Sequence, residues 1–221
     1  MKALLFDLDG TLVDSTYQHV AAWTKALHDA GLPIAAVDIH RRIGMNGRLL
    51  LKALDRALEL GLSQAERDAV ERAHADAFEL FAKDVILIDG ANRVSRGLEC
   101  LGIRMAIVTS ASRDEAQPYF DRLDLAPSTL CITREDEARS KPASNQLDRA
   151  FNRLRVDRHD AALVGDSTWD MLASRTAGSL GIGVLSGGYS REELAASGAL
   201  RVYRDVAELL KRLEEIGIES E

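Results

Sequence analysis

Cysteine is scarce in this chain: among 221 residues only Cys100 and Cys131 occur, one in a helical pattern and one in an apolar run. Without metal-ligand spacing they read as small buried side chains in a reducing compartment. Positive charge is also short. A formal charge of -7, from 28 Lys and Arg against 35 Asp and Glu, argues against a nucleic-acid polymer or an anionic membrane surface as partner. No apolar run approaches membrane length, and the N-terminus passes straight into a strand-like run. There is no internal repeat and no low-complexity segment. The expectation is a soluble cytoplasmic enzyme, with enough chain for a sizeable core in one or two domains. An acidic chain that bound an anion would have to gather positive charge locally, from a metal, a lysine or helix N-termini.

The chain is organised around Phe6-Asp7-Leu8-Asp9-Gly10-Thr11. Ala3 to Phe6 is an apolar run without alternation, which suits a strand buried on both faces of a parallel sheet. Asp7 and Asp9 are two apart, so an extended backbone projects both to one side at the carboxyl end of that strand. Open α/β sheets bind their ligands there. Gly10 permits a sharp turn, and Thr11 offers a hydroxyl or a cap. A calcium loop is the alternative for alternating acids, but it needs a glycine where Leu12 stands.

Downstream, helical periodicity dominates to about residue 82. One helix carries Val20, Trp23, Leu27 and Ala30 with Ser15 as N-cap and Gly31 as stop, and a short one covers Ala36 to Arg42. A third carries Leu50, Leu51, Leu54, Ala57 and Leu58 and stops at Gly61. The fourth opens at the Ser63/Glu66 capping box and runs to Phe81. No strand interrupts this stretch, which reads as an inserted helical domain.

From Asp89 the rhythm becomes strand and helix in alternation. Strands are expected at Arg104 to Val108, Thr129 to Ile132, Ala161 to Val164, Leu180 to Val184 and Leu200 to Tyr203. Helices are expected through Leu98, from Ser112 to about Leu123, and over Ser144 to Leu154, Thr168 to Thr176, Arg191 to Ser197 and Val206 to Ile216. Pro118 should disturb the second of these helices or mark a later start. The pattern implies an α/β fold, a Rossmann-like parallel sheet with an inserted four-helix domain. The boundaries are residues 1–14 and 86–221 for the sheet domain and 15–85 for the insertion.

If the strands are parallel, their carboxyl ends gather Asp7 and Asp9, Thr109 and Ser110, and Asp166 with Asp170 one turn on, while Lys141-Pro142 lies in a loop before a helix. Acids that close repel by about 4 kcal/mol per pair at 4 Å and an effective dielectric of 20. A hard divalent cation compensates, and oxygen-only ligands in a phosphate site favour Mg²⁺.

These four motifs, Asp-Leu-Asp-Gly-Thr, Val-Thr-Ser, Lys-Pro and Gly-Asp-Ser-Thr-Trp-Asp, in this order resemble those of the haloacid dehalogenase-like superfamily over essentially the whole chain. The helical insertion looks like its small cap, as in phosphoglycolate-phosphatase-like and beta-phosphoglucomutase-like members. The resemblance implies Asp7 as nucleophile and Asp9 as acid/base. It also implies phosphate contacts from Leu8, Asp9, Thr109, Ser110 and Lys141, and Mg²⁺ held by Asp7, Asp166 and the Asp9 carbonyl, with Asp170 orienting a metal-bound water or Lys141. An aspartate at position 9 points to phosphate esters, since dehalogenase and phosphonate-cleaving relatives lack it. The expected activity is hydrolysis of a small phosphorylated metabolite, with a phosphosugar mutase or a non-turnover phosphate-binding protein as alternatives.

The insertion is expected to close over the site and select the substrate. His19 and Trp23, one helical turn apart, and Asn46 and Arg48 beside the Gly44 to Gly47 turn are its candidate substrate contacts. A packed Trp23 and surface-exposed His19 and Arg48 are the plainer reading of the same residues.

Overall fold

A computed structural model describes residues 1–136 and 145–219. The chain separates into two compact units, Met1–Asp14 with Leu87–Glu221, and Ser15–Ile86. Among the described residues no helix is long and apolar enough to cross a membrane.

The first unit is built on six parallel strands, β1 (Ala3–Phe6), β2 (Arg104–Val108), β3 (Leu130–Ile132), β4 (Ala161–Gly165), β5 (Leu180–Val184) and β6 (Ala199–Tyr203). They lie in the order β3-β2-β1-β4-β5-β6. Its helices are α5 (Ala91–Cys100), α6 (Arg113–Phe120), α7 (Asn145–Leu154), α8 (Thr168–Ala177), α9 (Arg191–Ser197) and α10 (Val206–Leu210), the labels α1 to α4 falling in the other unit.

The apolar runs of β1, β2 and β4 are unbroken because both faces are covered. On one face Ala3, Leu5, Ala106, Val108, Ala161 and Leu163 pack with Leu147, Ala150 and Phe151 of α7 and Ala173 and Ala177 of α8. The alternate residues Leu4, Phe6, Ile107, Ala162 and Val164 are fully buried as well. Strand order reverses between β1 and β4, the crevice where doubly wound sheets place their ligands. This is the α/β parallel architecture that the alternating pattern predicts.

The helical unit comprises α1 (Thr16–Asp29), α2 (Ala36–His40), α3 (Gly47–Leu58) and α4 (Gln64–Ala82). Their apolar faces close on one cluster of Val20, Trp23, Leu27, Ile39, Leu50, Leu51, Leu54 and Val70. Ser63 and Glu66 form the expected reciprocal capping box.

Several details depart from the sequence reading. Ser15 occupies the N-cap of α1 but makes no side-chain capping bond. α6 begins at Arg113 and contains Pro118, then stops at Phe120 rather than Leu123. The expected helix to Ile216 is split, with a 3₁₀ turn at Leu213–Ile216 after α10. α3 ends at Leu58 with Glu59 in the left-handed region (φ 52°), two residues before Gly61.

A glutamate there bears a steric cost that glycine escapes. Glu59→Gly should therefore raise the unfolding free energy by about 1 kcal/mol, read as an upward shift of the urea midpoint at constant m-value.

Candidate active site

The register pairs Phe6 with Ile107 on one side and Val164 on the other. Asp7 therefore leaves its strand between the stretches that deliver Thr109 and Asp166. Its backbone N–H still donates to the Val164 carbonyl (2.9 Å), and the Thr109 N–H donates to Ile132 (3.0 Å), so both residues extend the ladder by one step. Beyond Asp7 the chain turns sharply. The Leu8 carbonyl accepts the N–H groups of Thr11 (3.2 Å), Leu12 (2.8 Å) and Val13 (3.0 Å), and Gly10, at φ 79°, donates to the Val13 carbonyl (2.7 Å). These bonds close a tight loop that contains Asp9, which is half-buried.

Asp7, Asp166 and Asp170 are all buried, and each offers an oxygen within 4.8 Å of the others. Ionised carboxylates at that separation repel by about 3 to 4 kcal/mol per pair at an effective dielectric of 20. A cation between them would offset that repulsion. All-oxygen donors at this spacing fit a hard divalent ion, so the residues present suit Mg²⁺.

Two of the acids are held by hydrogen bonds to their carboxylates, Asp166 by Thr11 and Asp170 by Ser167. Thr11 Oγ1 donates to Asp166 Oδ1 at 3.0 Å, a bond fully buried across 155 residues of sequence. Asp170 is the N3 residue of α8, and its Oδ2 accepts from the Ser167 N–H (3.1 Å) and hydroxyl (2.6 Å). Asp170 thus closes a reciprocal capping box with Ser167, and the same residue belongs to the acidic trio. Gly165 makes its position possible: a Cβ there would lie 2.3 Å from the Asp170 carboxyl carbon.

Thr109 is fully buried and accepts the Ala111 N–H on Oγ1 at 3.0 Å. With that lone pair occupied, the hydroxyl proton is directed elsewhere and can donate to an anion. Ser110 lies between them, and neither residue caps α6, whose N-cap is Ser112. Lys141 lies outside the described residues.

Two further residues gather here without a signal in the sequence reading. Gln146, 1% exposed, donates from Nε2 to the carbonyls of Thr109 (2.8 Å) and Thr133 (3.3 Å) and so bridges the carboxyl ends of β2 and β3. Only its place beside Leu147, on the side of α7 that faces the sheet, hinted at burial. Tyr119 of α6 is buried, and this burial pushes its phenol up to about 12, with the Asp9 carboxylate adding to the shift.

In the helical unit, His19 Nδ1 lies 3.2 Å from His74 Nε2. His74 stacks on Trp23 (4.0 Å between centroids), and His19 stacks on Phe78 (3.9 Å). Trp23 is core, as the plainer reading held, while His19 is part of a four-ring column rather than a surface residue. Asn46 caps α3 by accepting the Leu49 N–H (2.9 Å), and Arg48, 74% exposed, reaches Glu71 at 3.5 Å.

Sheet order, strand-end acids and a hydroxyl beside them define an α/β enzyme with an oxygen-donor site at its topological switch point. A family model described as haloacid dehalogenase-like hydrolase matches residues 1–178, and the chain belongs to that family as one of its phosphatases. It is 32% identical to a phosphoglycolate phosphatase of Rhodospirillum rubrum, over 94% of this chain and 89% of that one. Identity to an N-acetylmuramic acid 6-phosphate phosphatase of Pseudomonas putida is 27%, over 80% of both. The crystal structure of a hydrolase from Pseudomonas syringae superposes with a TM-score of 0.93 at 37% identity, covering 98% of this chain and 99% of that one.

The Tyr119 shift has a direct consequence for stability. A phenol raised from 10.0 to about 12 keeps its proton in the folded chain where the unfolded chain has lost it, so stability falls as pH rises through that window. Tyr119→Phe should remove part of this fall, seen by comparing urea midpoints of the two proteins at about pH 9 and about pH 11.5.

Proposed function

We propose that the protein is a Mg²⁺-dependent phosphatase that hydrolyses a small phosphorylated metabolite through an aspartyl-phosphate on Asp7. The observation that carries this reading is the buried trio Asp7, Asp166 and Asp170 at the switch point, with the Thr109 hydroxyl presented from the neighbouring strand end.

A carboxylate and a phosphate dianion repel, and a bound Mg²⁺ supplies the countercharge that lets them meet. Asp7, Asp166 and the Asp9 carbonyl would hold it, with Asp170 orienting its surroundings. Asp7 attacks phosphorus, and its oxygen forms the new P–O bond as the ester P–O bond breaks. The Asp9 carboxyl gives its proton to the leaving alkoxide. Asp9 then takes a proton from the water that attacks the same phosphorus, which releases inorganic phosphate and restores Asp7. The Thr109 hydroxyl and the backbone N–H groups of Leu8, Asp9 and Ser110 hold the non-bridging oxygens, where phosphoryl transfer is governed by positioning and electrostatics. Lys141 is assigned to the same phosphate by its motif.

The names of the relatives point to phosphoglycolate and phosphorylated sugars, and these are the substrates to test first. We assign no step to His19, Trp23, Asn46 or Arg48.

Steady release of phosphate from 2-phosphoglycolate or a sugar phosphate in Mg²⁺ is the expected result. Conversion of a hexose 1-phosphate to its 6-phosphate without phosphate release would instead make the protein a mutase, and uptake of phosphate without turnover a binding protein. Asp7→Asn should lower kcat at least about a thousandfold while the circular dichroism spectrum and Tm stay those of a folded chain. Substantial residual turnover would remove Asp7 from its role. Excess EDTA should stop turnover, and restored Mg²⁺ should raise Tm by binding the native acidic site.

A further inference from the structure

A turn outside the four motifs packs directly on the acidic trio. After β5 the chain makes a 3₁₀ turn over Leu185–Gly187. The Ser186 hydroxyl donates to the Gly10 carbonyl at 2.6 Å, tying this turn to the loop that follows Asp7. Gly187 is buried against Asp166: a Cβ at this position would lie 1.7 Å from Oδ2, 2.4 Å from the carboxyl carbon and 2.7 Å from Cβ of that aspartate. Gly187 is not among the glycines of positive φ, so backbone conformation does not require glycine here. The neighbouring Gly188, at φ 87°, is a different case. Space for the Asp166 carboxylate is what residue 187 supplies.

Asp166 is thus fixed from two sides. Thr11 binds Oδ1 from the first loop, and the Gly187 backbone bounds the side chain at Oδ2. Ser186 couples the second wall to Gly10, next to Thr11 in sequence. A carboxylate held this way keeps one orientation towards Asp7 and Asp170 without spending conformational entropy when an ion arrives.

We propose that the Ser186-Gly187 turn is a positioning element of the metal site, which fixes the Asp166 carboxylate and so sets the affinity for the divalent cation. The inference rests on the reading of Asp7, Asp166 and Asp170 as that site. It concerns residues outside the acidic trio, so the test reads binding rather than turnover.

Mn²⁺ is the probe, titrated into the 221-residue chain and followed by the electron paramagnetic resonance signal of the free ion. The proteins compared are the wild type, Gly187→Ala, Ser186→Ala, Asp166→Asn and Gly97→Ala. Gly97 lies in α5 with nothing within 4 Å of its Cβ direction and serves as the control. Gly187→Ala should raise Kd at least about tenfold, Ser186→Ala by a smaller factor, and Gly97→Ala not at all. Metal-free circular dichroism should be unchanged in each.

If Gly187→Ala binds within about twofold of wild type while Asp166→Asn loses binding, the proposal fails and the metal site stands. If Asp166→Asn binds like wild type, the site itself is misassigned and the proposal falls with it. Should Gly187→Ala fail to fold, Ser186→Ala decides: a raised Kd supports the coupling through Gly10, and an unchanged Kd overturns it.

Discussion

Three carboxylates buried within 4.8 Å of one another are the constraint around which the sheet unit is arranged. Left alone, ionised acids at that spacing would oppose folding by several kcal/mol. Their packing shows how much of the surrounding chain is given to holding them. Thr11 is committed to Asp166, Ser167 is committed to Asp170, and Gly165 and Gly187 leave the space these acids occupy. A fold that needed only to be stable would fill such a region with apolar side chains. All-oxygen donors at that spacing suit a hard divalent cation.

Parallel topology makes the acidic trio possible. Adjacent strands running the same way end at one edge, so Asp7, Thr109 and Asp166 emerge side by side although 102 residues separate the first two in sequence. The strands themselves, buried on both faces, form the base, and the acids and hydroxyl of the candidate site sit at their ends and on the turns that follow. Those turns are knotted by backbone bonds, three of them to the Leu8 carbonyl alone, and the β2 and β3 ends are bridged by Gln146. Sites that stabilise charge by positioning need this rigidity, because a donor that must reorganise loses much of its worth.

The strand ends were legible in the sequence because their signals are local: an apolar run of the right length followed at once by an acid or a hydroxyl. So was the Ser63 capping box, whose partner Glu66 stands three residues on. What escaped depends on contacts between distant parts of the chain. Gln146 reads as a polar helix residue until Thr109 and Thr133 are brought to it. Likewise His74 has no motif, and its place beside His19 follows from the packing of α1 on α4. Gly187 resembles any turn glycine, and only the position of Asp166 shows that it is needed for space rather than for φ. Glu59 shows the opposite failure, since a left-handed helix end normally announces itself by glycine.

Anomalous diffraction from a crystal of the protein soaked in Mn²⁺ tests the central claim most directly. The expected result is a single strong peak within about 2 to 2.5 Å of carboxylate oxygens of both Asp7 and Asp166. An empty trio at saturating Mn²⁺, or a peak bound elsewhere on the chain, would contradict it.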